Sequence, residues 1–225
     1  MKRLLTAPVV LTFCGLLPAP AATTEDVLSK MDKASSLFNS MKSEITRVTY
    51  TKVLDEKTTE SGTISVRKVG KDLQVYMEVE KPDPKIFAFR GRKAEIYLPR
   101  IKTVQEYDVG KQGSLVDQFL LIGFGTTGRD LKASYGVRYG GDETIVGQKA
   151  HKLQLTPIDE KLKERLESLT LWMDPSGEYP VQQQFVESSG NYYLFTYSNT
   201  KLNPGLTEES LKLKVPKGTK REVLK

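Results

Sequence analysis

Over most of this sequence, apolar and polar residues alternate with a period of two. From Ile45 onward, runs of β-branched and aromatic residues alternate with polar ones, and the runs are bounded by Gly, Pro or Asn. Alternation with a period of two is the pattern of strands that bury one face. Short runs at regular intervals predict antiparallel strands in a sandwich or barrel. The predicted strands are Arg47–Val53, Thr63–Val69, Leu73–Val79, Ile86–Phe89, Ala94–Leu98, Thr103–Val109, Thr144–Thr156, Leu169–Asp174, Val181–Glu187 and Tyr192–Ser198.

One amphipathic helix is expected before the strands. Between Thr24 and Met41, apolar side chains recur at i, i+3 and i+4 spacing, which places them on one side of a helix. They are Val27, Leu28, Met31, Leu37, Phe38 and Met41. Thr23 or Thr24 is expected to cap the start of the helix. A helix on such a sheet predicts an α+β class dominated by antiparallel sheet.

The N-terminus has the pattern of a bacterial secretory signal peptide. Two basic residues, Lys2 and Arg3, precede the apolar stretch Leu4–Leu17, and Ala19-Pro20-Ala21 follows as a small-x-small cleavage site. We expect residues 1–22 to be removed and residues 23–225 to form a single secreted domain. Acylation at Cys14 is the alternative, although the bulky Phe13 stands where a small residue is wanted.

The scarcity of cysteine and histidine excludes several kinds of site. The chain has one Cys and one His, so it cannot form an internal disulfide or a zinc site built from several Cys or His ligands. A His-based triad would depend on His151 alone, and the sequence has no G-x-S-x-G elbow. We therefore find no catalytic apparatus in the sequence, and we expect no enzyme activity and no metal site.

A glycine-rich segment has the glycine spacing of a nucleotide-binding motif but lacks the βαβ context that the motif needs. Gly123-Phe-Gly-Thr-Thr-Gly128 fits G-x-G-x-x-G, which binds dinucleotides when a strand precedes it and a helix follows it in a βαβ unit. Too few residues separate Gly128 from the following β pattern for such a helix. The glycines Gly123, Gly125 and Gly128 are instead interpreted as a hinge.

The positive charge is concentrated in two places. The formal net charge is +6. The basic surplus lies in residues 85–102 and in the tail, residues 212–225, without the broad stripe or reading element that nucleic-acid binding needs. These segments are either solvated loops and a frayed tail or docking sites for an anionic membrane surface or an acidic partner.

Several elements that are expected on the outside of the protein contain more apolar side chains than exposed elements usually do. The segment Ser114–Ile122 is too apolar for an exposed loop, and aromatic residues crowd the strands. An ordinary core would explain them; so would a curved, half-open sheet with a partly empty cavity and two helical lids. The candidate lipid-binding residues of such a cavity are Val27, Leu28, Met31, Phe38, Val75, Met77, Phe87, Phe89, Phe119, Leu120, Ile122, Trp172, Phe185 and Phe195.

The order of short motifs resembles the periplasmic outer-membrane lipoprotein carrier family. After the signal peptide and the helix come Gly62-Thr-Ile-Ser-Val-Arg-Lys68, Lys81-Pro-Asp-Pro84, Ala94-Glu-Ile-Tyr-Leu-Pro99, Leu155-Thr-Pro157, Leu171-Trp-Met-Asp174 and Val215-Pro-Lys-Gly218. The resemblance implies an incomplete antiparallel β-barrel with a helical lid. It implies a carrier that shields the acyl chains of lipoproteins or lipids between an inner-membrane releasing transporter and an outer-membrane receptor.

Two points stay open within this resemblance. In the family a strand arginine holds the lid closed, and the matching stretch here offers Arg67 and Lys68. The same fold also serves periplasmic sensors, so a regulator that binds a membrane-protein partner is the alternative function. The resemblance implies neither catalysis nor a cofactor in the carrier, and we expect a monomer.

Overall fold

Twelve strands form one sheet in the computed structural model, which describes residues 22–70, 72–108 and 122–224. The strands are β1 Ser40–Thr51, β2 Glu56–Val69, β3 Asp72–Lys81, β4 Lys85–Arg90, β5 Lys93–Leu98, β6 Thr103–Asp108, β7 Tyr135–Ile145, β8 Gln148–Pro157, β9 Leu166–Met173, β10 Pro180–Glu187, β11 Tyr192–Leu202 and β12 Lys220–Val223. The α-helices are α1 Thr24–Leu37, α2 Gly128–Ser134 and α3 Glu160–Lys163, and the short 3-10 helices are Pro99–Ile101 and Glu209–Leu211.

The sheet is open. Its strand order is β12-β6-β5-β4-β3-β2-β1-β11-β10-β9-β8-β7, so β12 and β7 are the two edges. Together with the helices this is the predicted incomplete barrel of the α+β class. One pair departs from the antiparallel prediction, because β12 runs parallel to β6. The connection of residues 203–219 returns the chain to the side of the sheet on which β6 begins, so β12 runs in the same direction as β6.

Turn residues divide the strands largely where the sequence predicts. Lys81-Pro82-Asp83-Pro84 ends β3, and β4 and β5 form a hairpin in which Arg90 pairs with Lys93. The predicted run Thr144–Thr156 instead spans a turn, because Val146 and Gly147 both have positive φ and separate β7 from β8. Strand β7, which lies mostly before this run, is not among the predicted strands.

The first helix begins where predicted and ends four residues early. Thr23 forms a capping box with Asp26, whose backbone N–H donates to Thr23 Oγ1 (3.2 Å), while Asp26 Oδ2 accepts from the Thr23 N–H (2.9 Å). The Thr23 hydroxyl also donates to Asp26 Oδ2 (2.7 Å), and this bond, together with the bond from the Thr23 N–H, holds the pKa of the Asp26 carboxyl below its ordinary value. The helix ends at Leu37, which is 65% exposed, and Met41 is buried in β1 rather than on the helix.

A side chain from the opposite end of the chain ends α1. The Oδ1 atom of Asn203 accepts hydrogen bonds from the N–H groups of Asn39 (2.9 Å) and Ser40 (3.0 Å). Its amide nitrogen donates to the carbonyl of Leu37 (3.1 Å). The backbone groups that a further helical turn would use are therefore already bonded to Asn203.

The core lies between α1 and one face of the sheet, which we call the inner face. Its buried cluster includes Val27 and Met31 from α1 and Ile64, Leu153 and Phe195 from the strands. A smaller buried cluster of Ala150, Trp172 and Val181 lies on the outer face. The chain thus buries apolar side chains on both faces of β8, β9 and β10.

The C-terminal region is part of the sheet and not a frayed tail. Arg221 of β12 donates to Glu95 Oε1 (2.8 Å) and also to Glu106. The 3-10 helix Glu209–Leu211 contacts β3, and Leu211 is fully buried. Residues 220–223 of the basic tail therefore pair with the sheet, whereas most of the described residues of the tail are exposed.

Candidate functional site

The inner face carries rows of apolar side chains across neighbouring strands. Met77 on β3 lies opposite Ile64 on β2 and Phe87 on β4. One pleat away, Val75 lies opposite Phe89. The β2 and β3 members are buried, whereas the two phenylalanines are only partly buried. The apolar surface therefore extends beyond the fully buried core onto β4.

Most of the candidate cavity residues lie together on this face. Eight belong to the buried cluster: Val27, Leu28, Met31, Phe38, Val75, Met77, Phe185 and Phe195. Three are partly buried against it: Phe87, Phe89 and Ile122. Phe119 and Leu120 lie outside the described residues, as do most of the predicted lid Ser114–Ile122 and residues 1–21 of the predicted signal peptide.

Trp172 lies apart from the other candidates. It is on the outer face, where its Nε1–H donates to Glu143 Oε2 (2.6 Å) and Lys152 lies over its ring at 5.3 Å. The same Glu143 accepts from Lys152 (2.8 Å), and these two bonds hold the pKa of its carboxyl below the ordinary value. Alternation along β9 explains this position, because Leu171 and Met173 point to the inner face.

Of the two candidate clamp residues, Lys68 contacts the helix. It shares a face with Val66, and its Nζ donates to the carbonyl of Ser35 in the last turn of α1 (3.1 Å). A cation is favoured at a helix C-terminus because the last carbonyls are unpaired and the helix dipole is negative there. Arg67 points away and donates to Gln74 on β3 (3.4 Å). A clamp on α1 is thus available to Lys68.

The three candidate hinge glycines are closely packed. Gly123 and Gly125 have positive φ, and a Cβ on Gly125 would lie 2.8 Å from the ring of Phe38. A Cβ on Gly128 would lie 2.7 Å from the Cβ of Leu28. These glycines let the segment approach α1 closely; whether it also swings stays a prediction.

A helix follows the G-x-G-x-x-G segment, although the sequence analysis allowed no room for one. Helix α2 begins at Gly128, and its Thr127 cap accepts from the N–H of Asp130 (3.0 Å). Its seven residues lead into β7, which pairs antiparallel with β8. The βαβ unit that dinucleotide binding requires is therefore not formed around this helix.

His151 joins α1 to the far edge of the sheet. Lys30 Nζ donates to its Nε2 (3.2 Å) and to the carbonyl of Pro175 (2.9 Å). Because a lysine ammonium only donates, Nε2 accepts, and Nδ1–H donates to Asp142 Oδ1 (2.5 Å). Tyr139 donates to the same oxygen (2.6 Å), and the bonds from Tyr139 and His151 hold the pKa of Asp142 below its ordinary value. The histidine thus fastens the helix to β7 and β8.

Other candidate sites in the described part of the chain are few. A groove of about 300 Å³ between α1 and α2 is lined in part by charged side chains, including Glu25, Asp32, Arg129 and Lys132. The described residues contain no group of three or more His, Cys, Asp or Glu side chains placed to hold a metal ion. No helix among them has the length and apolar character needed to cross a bilayer.

Sequence reasoning missed one charged cluster on the inner face. Arg47 on β1 and Lys85 on β4 both form ion pairs with Glu60 on β2. The three residues are far apart in sequence and meet because of the strand registers. Their positions in the alternation, on the same side as Ile45 and Phe87, are the signal that could have identified them.

Comparisons with known proteins agree on the fold. No protein-family model and no curated protein sequence matches the chain. Among solved structures, it is similar to an uncharacterised conserved protein from Thermus thermophilus, with a TM-score of 0.54, 13% identity and coverage of 89% of this chain and 98% of that one. It is similar to the Mycobacterium tuberculosis lipoprotein LppX, with a TM-score of 0.51, 14% identity and coverage of 81% and 98%.

The third similarity is to MucB. The TM-score is 0.52 for MucB, at 16% identity over 85% of this chain and 62% of that one. It is 0.50, with 16% identity and coverage of 85% and 61%, for the Pseudomonas aeruginosa MucA/MucB complex. The chain thus spans about three fifths of the length of these chains. Taken with the open sheet and its helix-covered inner face, these similarities show that the chain shares the fold of these proteins, which is the incomplete barrel that the order of its motifs predicts.

Proposed function

We propose that this protein is a periplasmic carrier that binds the acyl chains of lipoproteins or lipids against its inner face. The observation that carries the proposal is the apolar surface of β3 and β4 beyond the buried core. Leu73, Phe87 and Phe89 are only partly buried there. Each CH₂ group removed from water contributes about 0.8 kcal/mol, so a long acyl chain can bind by contact area alone.

In this proposal the helices regulate access to the inner face. Helix α1 contributes Val27, Leu28 and Met31 to the buried cluster, and the single contact of Lys68 with Ser35 is the candidate clamp. The segment 114–122 is the candidate second lid, with Gly123, Gly125 and Gly128 as its hinge. Transfer from an inner-membrane transporter to an outer-membrane receptor would follow from the role of the carrier family. No step in this cycle requires catalysis.

Acyl binding can be tested with one substitution and its matched control. The delipidated protein is titrated with an acyl probe whose fluorescence rises in apolar surroundings. Phe89→Gln places an amide on the inner face, and we expect it to weaken binding about tenfold. Ile86→Gln changes a partly buried residue on the outer face of the same strand and should leave the affinity unchanged. Circular dichroism checks that both variants keep the sheet.

Native mass spectrometry of the protein purified from a Gram-negative periplasm complements the titration. Bound masses that match lipids or acylated peptides, and that detergent removes, would support the carrier. Failure of the wild-type protein to bind either the probe or a synthetic triacylated peptide would contradict it.

A regulator that binds a protein partner is the second candidate. One similar structure is a complex of MucA with MucB, and the chain has an open edge strand, β7, whose backbone groups could pair with another strand. This alternative predicts that a protein, and not an acyl molecule, accompanies the chain from the periplasm. The same mass spectra therefore separate the two functions.

A further inference from the structure

Three charged side chains meet on the inner face, away from the end where α1 meets the sheet. Arg47 lies opposite Glu60 on β2 and Phe195 on β11. Lys85 reaches the same carboxylate from β4, at 2.5 Å. The side chains of Arg47, Glu60 and Lys85 are 19%, 14% and 21% exposed, respectively. The cluster is therefore largely desolvated and still accessible from one side.

The charges of this cluster do not balance. One carboxylate serves two cations, which leaves one positive charge on a largely apolar face. Glu60 binds each cation through one oxygen. The guanidinium of Arg47 therefore makes a single hydrogen bond to Glu60 and not the bidentate pair that its geometry allows. The buried Nε of Arg47 has no hydrogen-bond partner among the described residues. An unsatisfied buried donor is unfavourable, and so is an unpaired buried charge.

The cluster adjoins the proposed acyl-binding surface. The Nζ of Lys85 lies 5.8 Å from the ring centre of Phe87. Phe195, the neighbour of Arg47, is fully buried in the main cluster. In ligand pockets, a few polar groups at the border of an apolar surface set the orientation of an amphipathic ligand. A ligand with acyl chains on Phe87 and Phe89 would place its head group beside Lys85.

We infer that Arg47 and Lys85 bind the anionic head group of a lipid whose acyl chains lie on the inner face. This inference rests on the proposed function and adds the ligand class, an amphipathic lipid with a phosphate or carboxylate. Such a group offers several acceptor oxygens, neutralises the surplus charge and can occupy the unused side of the arginine fork. Glu60 holds the two cations in place when no ligand is bound.

The test compares two lipids that share acyl chains and differ in head-group charge. The delipidated protein is titrated with phosphatidylglycerol and with phosphatidylcholine, both in monomeric short-chain form. We expect tighter binding of phosphatidylglycerol by roughly tenfold, the order expected for one partly desolvated charge pair. The preference should fall as salt is added, because salt screens the attraction.

Two substitutions should move this preference in opposite directions. Lys85→Gln removes the surplus charge, and we expect the two lipids to bind equally, with the affinity for phosphatidylcholine unchanged. Glu60→Gln raises the cluster to two positive charges and should increase the preference. The Glu60 variant keeps the test decisive if the Lys85 variant does not fold, and the salt titration needs no variant.

The outcomes separate this inference from the proposed function. Equal binding of both lipids by the wild-type protein would overturn the head-group site and leave the carrier intact. Binding of neither lipid would overturn both. Titration with inorganic phosphate tests the other source of the same chemistry: phosphate binding that Lys85→Gln abolishes, without any preference between the lipids, would indicate a free-anion site and overturn the lipid assignment.

Discussion

At the level of single residues, Gly62 shows how closely β2 and β3 approach. A Cβ built on it would lie 1.8 Å from the carbonyl oxygen of Glu78. The register between the two strands also shifts at this position, between Ser61 and Gly62. Such irregularities increase the local bend and twist of a sheet. Gly62 therefore permits a close backbone contact that no other residue can make without displacing a strand.

We expect Gly62→Ala to destabilise the fold by about 2 kcal/mol or more, because the added methyl group must displace backbone atoms. Urea denaturation measures the free energy of unfolding. Gly136→Ala on β7 is the control, since its Cβ would have as nearest neighbour the Thr156 carbonyl oxygen at 3.8 Å. That variant should stay within about 1 kcal/mol of the wild type. Equal effects at both positions would contradict the steric argument.

At the level of elements, the end of α1 depends on Asn203. This residue follows β11, has φ of 49° and bonds backbone groups of three residues around the helix end. The apolar spacing does not mark Leu37 as the stop, because it continues through Phe38 to Met41. The position of the stop is therefore a property of the packed chain.

Replacement of Asn203 tests this long-range cap. Asn203→Gly removes the three hydrogen bonds and tolerates the positive φ, so a loss of about 1–3 kcal/mol would report the bonds themselves. Asn203→Asp keeps both acceptor contacts and should lose less. Hydrogen exchange at the N–H groups of Asn39 and Ser40 should be faster in the glycine variant than in the aspartate variant. Similar exchange in both variants would show that Asn203 does not hold the helix end.

At the level of the whole molecule, ion pairs attach the last strand to the sheet. Arg221 bonds Glu106 on β6 and the buried Glu95 on β5. Hydrogen bonds from Lys93 and Arg221 hold the pKa of Glu106 below its ordinary value. A carboxyl whose pKa is lowered by folding stabilises the fold above the pKa of the unfolded chain, about 4.3. This contribution is lost as the pH falls through the lower pKa of the folded state.

The docking of β12 should therefore depend on pH. Because Arg221 is 46% exposed, solvent weakens its ion pairs, and Arg221→Gln should cost about 1 kcal/mol at pH 7. The difference from the wild type should shrink as the pH falls through the lowered pKa of Glu106, where its carboxyl takes up a proton. Lys220→Gln is the control, since Lys220 pairs with Glu222 of its own strand and is 71% exposed. A difference that persists at low pH would point to packing and not to charge.

The sequence alone determined the features that depend on near neighbours along the chain. Period-two alternation identified most of the strands, the Lys81-Pro82-Asp83-Pro84 stop ended β3, and the Thr23 cap marked the start of α1. The order of the motifs indicated the fold. These features are decided by backbone conformation and by the spacing of apolar residues, which local sequence carries.

Some site features could have been found from alternation. The inner-face position of Lys68 follows from its phase with Ile64 and Val66, and the outer position of Trp172 follows from its phase with Leu171 and Met173. Phase within one strand is local information, so these positions did not require the structure.

Tertiary structure decided which distant residues meet. Arg47, Glu60 and Lys85 come together through the registers of β1, β2, β3 and β4, and Asn203 reaches the end of α1 from beyond β11. The parallel direction of β12 depends on the path of residues 203–219. Register and chain path are set by the packing of the whole inner and outer faces. That packing depends on contacts between residues that are distant in sequence, so no short segment determines it.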